Sequence, residues 1–215
     1  MTEYIIETKN LTKLYHGSPA VNQINLQVPQ CSIYGFLGPN GAGKSTTMKM
    51  LLGLAAQDKG SIQIFGHEMN TSNRIAILSQ VGSLIESPSY YGNLTGYENL
   101  KISCTLRNLP HSEINEALRI VRLDNQKHKK TSHYSLGMKQ RLGIAKIAFA
   151  RVLYSKPEIL LLDEPTNGLD PSGIHEMREL IKSLPEKYGI TLMVSSHLLA
   201  EIEQIADNVG IISNG

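Results

Sequence analysis

The chain has 215 residues, 41% hydrophobic and 19% charged, a composition that excludes a disordered chain and supplies apolar material for a substantial core. Its length suits one large domain or two small ones sharing a site. The 21 basic side chains exceed the 19 acidic ones by a formal +2, too small an excess to imply a nucleic-acid partner.

Residues 1–10 carry Glu3 and Glu7 among apolar side chains and lack the basic start and apolar run of a signal peptide. No stretch reaches the roughly eighteen apolar residues of a membrane span. Cys31 and Cys104 lie far apart without metal-ligand spacing, and read as two reduced, buried thiols of a cytosolic protein.

Residues 4–9 and 24–28 read as half-buried antiparallel strands, the second from Ile24, Leu26 and Val28 alternating with Asn25 and Gln27. The apolar run 32–37 passes into a glycine-rich turn and then a helix over 45–54, striped by Met48, Leu51 and Leu52. Residues 61–66 alternate again, and 75–81 read as a further strand whose end takes in Gln80. Thr95 and Glu98 have the spacing of a capping box and open a helix through about residue 106.

Ile114, Leu118 and Val121 predict a helix over 110–121 with Ser112 as its N-cap. A helix over 137–154 presents Leu142, Ala145, Ile147, Ala148 and Val152 on a wide apolar face. The section 88–153 is therefore mainly helical and interrupts alternating strands and helices. The run 158–163 is apolar and closed by carboxylates, as in a central parallel strand ending at a site. A helix over 174–184 stopped by Pro185, a buried strand over 190–195 leading to Ser196 and His197, a helix over 198–206 and the start of a strand in 208–215 follow. Nothing caps that last strand, which suggests a trimmed C-terminus.

Gly38-Pro39-Asn40-Gly41-Ala42-Gly43-Lys44-Ser45 fits G-x-x-x-x-G-K-[ST] between a strand and a helix. The glycines let backbone N–H groups turn inward around phosphates in dihedrals a Cβ would obstruct, and the positive end of the following helix adds to the field. Lys44 is predicted to reach the β and γ phosphates of ATP, and Ser45 to place its hydroxyl on Mg²⁺. A carboxylate at the tip of a buried strand is costly unless it meets a cation or donor, so Asp163 is assigned to Mg²⁺. Beside it, Glu164 is the candidate general base, the alternative being a solvated helix cap. Parallel pairing brings His197 to the same edge, to hydrogen-bond the γ phosphate or the attacking water, or to serve structurally.

Taken in order, these residues resemble the ATPase subunits of ATP-binding cassette (ABC) transporters. Gly38 to Thr46 looks like the Walker A motif, Ile159 to Pro165 like Walker B with its following glutamate, and Gly168-Leu169-Asp170 like the D-loop. His197 resembles the switch histidine, and Tyr134-Ser135-Leu136-Gly137-Met138 the family signature. The resemblance implies an α/β P-loop NTPase with a RecA-like core, an antiparallel β subdomain and an inserted helical subdomain. Residues 1–215 would form one nucleotide-binding domain, with the core and β subdomain in 1–87 and 154–215 and the helical subdomain in 88–153.

It also implies that Asn40, Gly41, Ala42, Gly43, Lys44, Ser45 and Thr46 bind ATP, that Ser45, Glu86 and Asp163 hold Mg²⁺, and that Glu164, His197 and Lys44 carry the hydrolysis. Tyr15 resembles the aromatic residue that stacks on adenine, or is a plain core tyrosine. Ser135, Gly137 and Asp170 would complete the phosphate site of a second, identical copy facing head to tail. Two positions depart from the family pattern. Leu136 and Met138 replace a glycine and a glutamine of the signature, and Glu86 stands where a glutamine is usual, keeping an acceptor but losing an amide donor.

The motifs look most like the subgroup for bacitracin export and lantibiotic self-immunity, which implies permease subunits in the membrane, a place at its cytoplasmic face and an antimicrobial peptide as cargo. Tyr90, Tyr91 and Tyr97 would touch the permease or fill the junction between subdomains. The basic run 127–130, with Lys139 and Arg141 added, reads as a solvated face. The competing readings are an ATP-gated interaction module with little turnover and a soluble, non-transport cassette protein.

Overall fold

A computed structural model describes residues 4–85, 89–106, 110–148 and 158–215. Strands β1 (Tyr4–Tyr15), β2 (Ser18–Ile24) and β3 (Gln27–Pro29) open the chain, and β4 (Ile33–Leu37) and α1 (Lys44–Leu51) flank the glycine-rich loop. Next come β5 (Lys59–Ile64), β6 (His67–Glu68), α2 (Arg74–Leu78) and β7 (Val81–Leu84), then the helices α3 (Gly96–Leu106), α4 (Ile114–Ile120) and α5 (Leu136–Ala148). The chain returns through β8 (Ile159–Asp163), α6 (Pro171–Tyr188), β9 (Thr191–Ser196), α7 (Leu199–Ile202) and β10 (Asn208–Ile211).

Two sheets result. One is antiparallel, in the order β2-β1-β5-β6, with β3 also pairing β1; the other runs β10-β4-β9-β8-β7 and is parallel throughout. All six residues of β9 and all five of β4 are buried, as expected of strands covered on both faces. Successive side chains of β8 point to opposite faces. Leu160 and Leu162 join the core built on α3 to α6, while Ile159 and Leu161 join the core beneath the antiparallel sheet and α1. Each of these fully buried leucines contributes about 2 kcal/mol. The parallel sheet is thus the middle layer, and the predicted antiparallel sheet, α/β core and helical section are all present.

Several local readings need correction. Strand β1 continues beyond residue 9 to Tyr15, where His16 and Gly17, both at positive φ, turn the chain into β2. Strand β2 escaped notice because only Val21 of its seven residues is buried, which leaves no alternation to read. The expected strand 24–28 is broken: Ile24 ends β2, and the Asn25 side chain binds the Asn10 amide and the Gln23 carbonyl before β3 begins. The expected strand 75–81 is instead α2, started by Asn70, whose carboxamide oxygen accepts the amides of Ser72 and Asn73. Gln80 lies in the turn before β7.

Ser112 does not cap α4. It lies in a 3₁₀ turn, and its hydroxyl bonds Glu113. Pro185 does not end α6, which starts at Pro171, runs through Pro185 to Tyr188 and is capped by Gly189 in the left-handed region. Helix α7 covers only Leu199–Ile202 of the expected 198–206. Cys104 is buried, but Cys31 is exposed. Arg141 is 7% exposed and belongs to no solvated patch: it donates to the carbonyls of Val121 and Arg122 and pairs with Glu176. The Thr95–Glu98 capping box forms as read. The subdomain boundaries at 87/88 and 153/154, Glu86, and the last residues of the 137–154 helix lie outside the described residues.

Candidate nucleotide site

The C-terminal ends of β4, β8 and β9 are adjacent in the parallel sheet, and ligands of open α/β sheets bind outside such ends. From β4 the chain enters the loop 38–43, whose shape depends on its glycines. A Cβ on Gly43 (φ 106) would lie 2.4 Å from the Ala20 carbonyl oxygen, and one on Gly38 2.4 Å from that of Ile212. The loop is thus wedged between β2 and the segment after β10. Gly43 precedes α1 and its carbonyl accepts the Thr47 amide at 2.8 Å. Helix geometry leaves the amides of Lys44, Ser45 and Thr46 in the first turn, without intrahelical acceptors.

Lys44 is 5% exposed, and its ammonium donates to the Gly38 carbonyl at 2.7 Å and the Pro39 carbonyl at 3.1 Å. It also lies 3.3 Å from Oε1 of Glu164. The other carboxylate oxygen of Glu164 is 3.2 Å from Nδ1 of His197. Glu164 adopts φ 47, a left-handed conformation that costs a residue with a side chain about 1 kcal/mol.

Ser45 donates its hydroxyl to Oδ2 of Asp163 at 2.6 Å. A hydroxyl and a carboxylate that already converge are the hard oxygen donors Mg²⁺ takes beside phosphate oxygens, so the residues present fit this ion. Among the described residues no three His, Cys, Asp or Glu side chains gather into a metal cluster. A cavity of about 350 Å³ opens beside them, lined by Ser45, Asp163, Glu164, Asn167, Leu136 and Gln140.

A family model for the ABC transporter matches residues 21–167. The chain belongs to the ABC transporter family. The bacitracin transport ATP-binding protein BcrA of Enterococcus faecalis is 51% identical over 214 residues, which are 99% of this chain and 68% of that protein. The lantibiotic transport ATP-binding protein SrtF of Streptococcus pyogenes is 43% identical over 211 residues, 98% of this chain and 88% of that one. The structure of cbiO1 from Clostridium perfringens, part of the ABC transporter complex cbiONQ, superposes with a TM-score of 0.89 at 26% identity, covering 100% of this chain and 86% of that one. This ABC protein is an ATP-binding and ATP-hydrolysing transporter subunit with a RecA-like core and a helical subdomain, homologous to bacitracin and lantibiotic transport ATPases. No helix among its described residues is long and apolar enough to cross a membrane.

The ABC cassette brings Lys44, Ser45, Asp163, Glu164 and His197 together. Asn40 and Gly41 are exposed at the loop tip, and Ala42 is buried, its carbonyl accepting the Gly215 amide. Tyr15 is 48% exposed, with the Lys13 ammonium 5.5 Å from its ring centre, at the end of the hairpin whose second strand meets Gly43. Ser135 is engaged elsewhere: it caps α5 by accepting the Met138 amide at 3.3 Å. A Cβ on Gly137 would come into ordinary contact with Gly173 and Leu169, and Asp170 caps α6 through the Gly173 amide.

Sequence reading missed the contacts that Ser195, Ser196, Thr166 and Glu201 make behind the site. Ser195 is wholly buried, donates to Oδ1 of Asp163 and accepts the Glu164 amide at 2.9 Å. Glu201 accepts the hydroxyls of Thr166 at 2.6 Å and Ser196 at 3.1 Å, tying the loop after Glu164 to the strand end before His197. The available signal was the pair Ser195-Ser196 closing an apolar strand, which invites the question of what those hydroxyls meet.

Proposed function

We propose that this subunit hydrolyses ATP at a composite site and thereby drives the export or expulsion of an antimicrobial peptide, in lantibiotic immunity or bacitracin-type resistance. Asn40 to Thr46 cradle the triphosphate, with Lys44 on its terminal phosphates and Tyr15 against the adenine. Ser45 and Asp163 hold Mg²⁺, with Glu86 at the third position implied by the family pattern. When bound, Mg²⁺ neutralises charge developing on the phosphate oxygens. Glu164 accepts the proton of the water attacking the γ phosphorus as the bond to ADP breaks, and His197 orients Glu164 and the water.

The observation that supports this reading is the paired geometry of Ser45 on Asp163 and Lys44 on Glu164, which brings the residues assigned to Mg²⁺ beside the one assigned as general base. Ser135 and Gly137 at the head of α5, together with Asp170, complete the site of a second copy facing head to tail, so one chain supplies half of each site. The core and β subdomain comprise 1–87 and 154–215, and the helical subdomain 88–153. The helical section docks on integral permease subunits, which hold the ATPase peripherally at the cytoplasmic face of the membrane. Nucleic acid is no partner. The peptide cargo rests on relatives named for bacitracin and lantibiotic transport.

Complementation tests the pairing. Lys44→Ala and Ser135→Arg each abolish phosphate release alone, yet mixing them leaves one intact composite site in every mixed pair. Turnover restored by mixing is the expected result, and two variants that stay dead together exclude the head-to-tail arrangement. Cargo is tested in cells carrying the permease genes: expression should raise the bacitracin or lantibiotic concentration needed to stop growth, and Glu164→Gln should remove that gain.

A further inference from the structure

Ser195 offers a single hydroxyl to two neighbours at once, Asp163 at the end of β8 and Glu164 just after it. Asp163 and Ser195 are register partners in the β8–β9 pair. Because the Ser195 oxygen accepts the Glu164 amide, its one proton is left for Oδ1 of Asp163. The other oxygen of Asp163 takes the proton of Ser45. Each oxygen of that carboxylate therefore has its own hydroxyl donor, and the plane of the carboxylate is set from both sides. The same Ser195 oxygen holds the amide of Glu164, the residue whose left-handed backbone aims its side chain at Lys44 and His197.

We infer that Ser195 is a positioning residue that locks the metal-binding carboxylate of Asp163 and the base Glu164 in one mutual orientation without itself touching nucleotide. It rests on the nucleotide-site reading above. Complete burial excludes a surface role for the hydroxyl, and partners behind a metal ligand typically carry about 10- to 100-fold in metal affinity or activity. Removing the hydroxyl frees Asp163 to rotate and leaves the Glu164 amide without its acceptor. Lys44 and the loop amides, which act on phosphate directly, are left as they are.

The test compares Ser195→Ala and Ser195→Thr with the unmodified chain, measuring binding of a fluorescent ATP analogue in EDTA and across a Mg²⁺ titration, with urea unfolding in EDTA as a check on folding. For Ser195→Ala, affinity in EDTA should stay within about twofold, while the Mg²⁺ needed for half-maximal enhancement should rise about tenfold. Ser195→Thr, which keeps the hydroxyl, should restore the Mg²⁺ response. Superimposable titrations, an equal loss in EDTA and Mg²⁺, or a stably folded threonine variant that behaves like alanine would each overturn the inference. Lys44→Ala run alongside should lose affinity in both media; if it does not, the site reading itself has failed and this inference falls with it.

Discussion

Lys44 and Glu164 form an ion pair at 3.3 Å, with side chains 5% and 20% exposed, joining the glycine-rich loop to the end of β8. The pair sets the cation assigned to phosphate against the carboxylate assigned to the attacking water. Glu164→Gln keeps the shape and removes the base, so phosphate release should fall by about 10²- to 10⁴-fold with ATP still retained. Lys44→Ala should instead lose the nucleotide. A filter-binding assay beside a phosphate-release assay separates the two, and equal loss of binding in both variants would contradict these roles.

Gly41 and Gly43 both have positive φ, yet they face different surroundings. A Cβ at Gly41 meets nothing within 4 Å, whereas one at Gly43 would lie 2.4 Å from a backbone carbonyl. Gly41→Ala should cost about 1 kcal/mol from backbone strain alone. Gly43→Ala adds a clash that the flanking chain must absorb and should cost about 3 kcal/mol or more. Urea unfolding of both variants checks the ordering.

Arg141 bridges the end of α4 and the side of α6 through the Val121 and Arg122 carbonyls and Glu176. Replacing it with alanine removes these bonds and leaves the buried Val121 carbonyl without its donor, at about 2 kcal/mol. Arg141→Lys should recover only part of this, because one ammonium cannot reproduce the planar fork. Chemical denaturation reads both values, and a lysine variant as stable as the parent would argue against the fork.

The Glu98 carboxyl is held below the usual carboxylate range, first by the Thr95 amide and then by the Thr95 hydroxyl. A lowered folded value means that its contribution is complete above the ordinary carboxylate range and is lost as pH falls through the lowered value. The stability gap between the unmodified chain and Glu98→Gln should therefore hold steady near neutrality and close in acid. Unfolding both proteins from pH 7 to 3 isolates Glu98 from Asp58, which is also lowered, chiefly by the Leu14 amide. A gap that widens in acid would reverse the assignment.

Features set by neighbours in the chain were legible from the residue order. The phosphate loop needs glycines at set spacings, the Thr95–Glu98 box closes within four residues, and the apolar runs of β4, β8 and β9 announce strands buried on both faces. Where a run was short, as in Ile75 to Leu78, hydrophobicity alone could not separate strand from helix, and the turn at Asn70 settled it. Other features depend on groups that meet only after the layers stack. Ser45 lies 118 positions from Asp163, Ser195 lies 32 from it, and Arg141 lies 20 from Val121. A buried hydroxyl or guanidinium acquires its role from the acceptor it meets in three dimensions, and that partner leaves no mark on local periodicity.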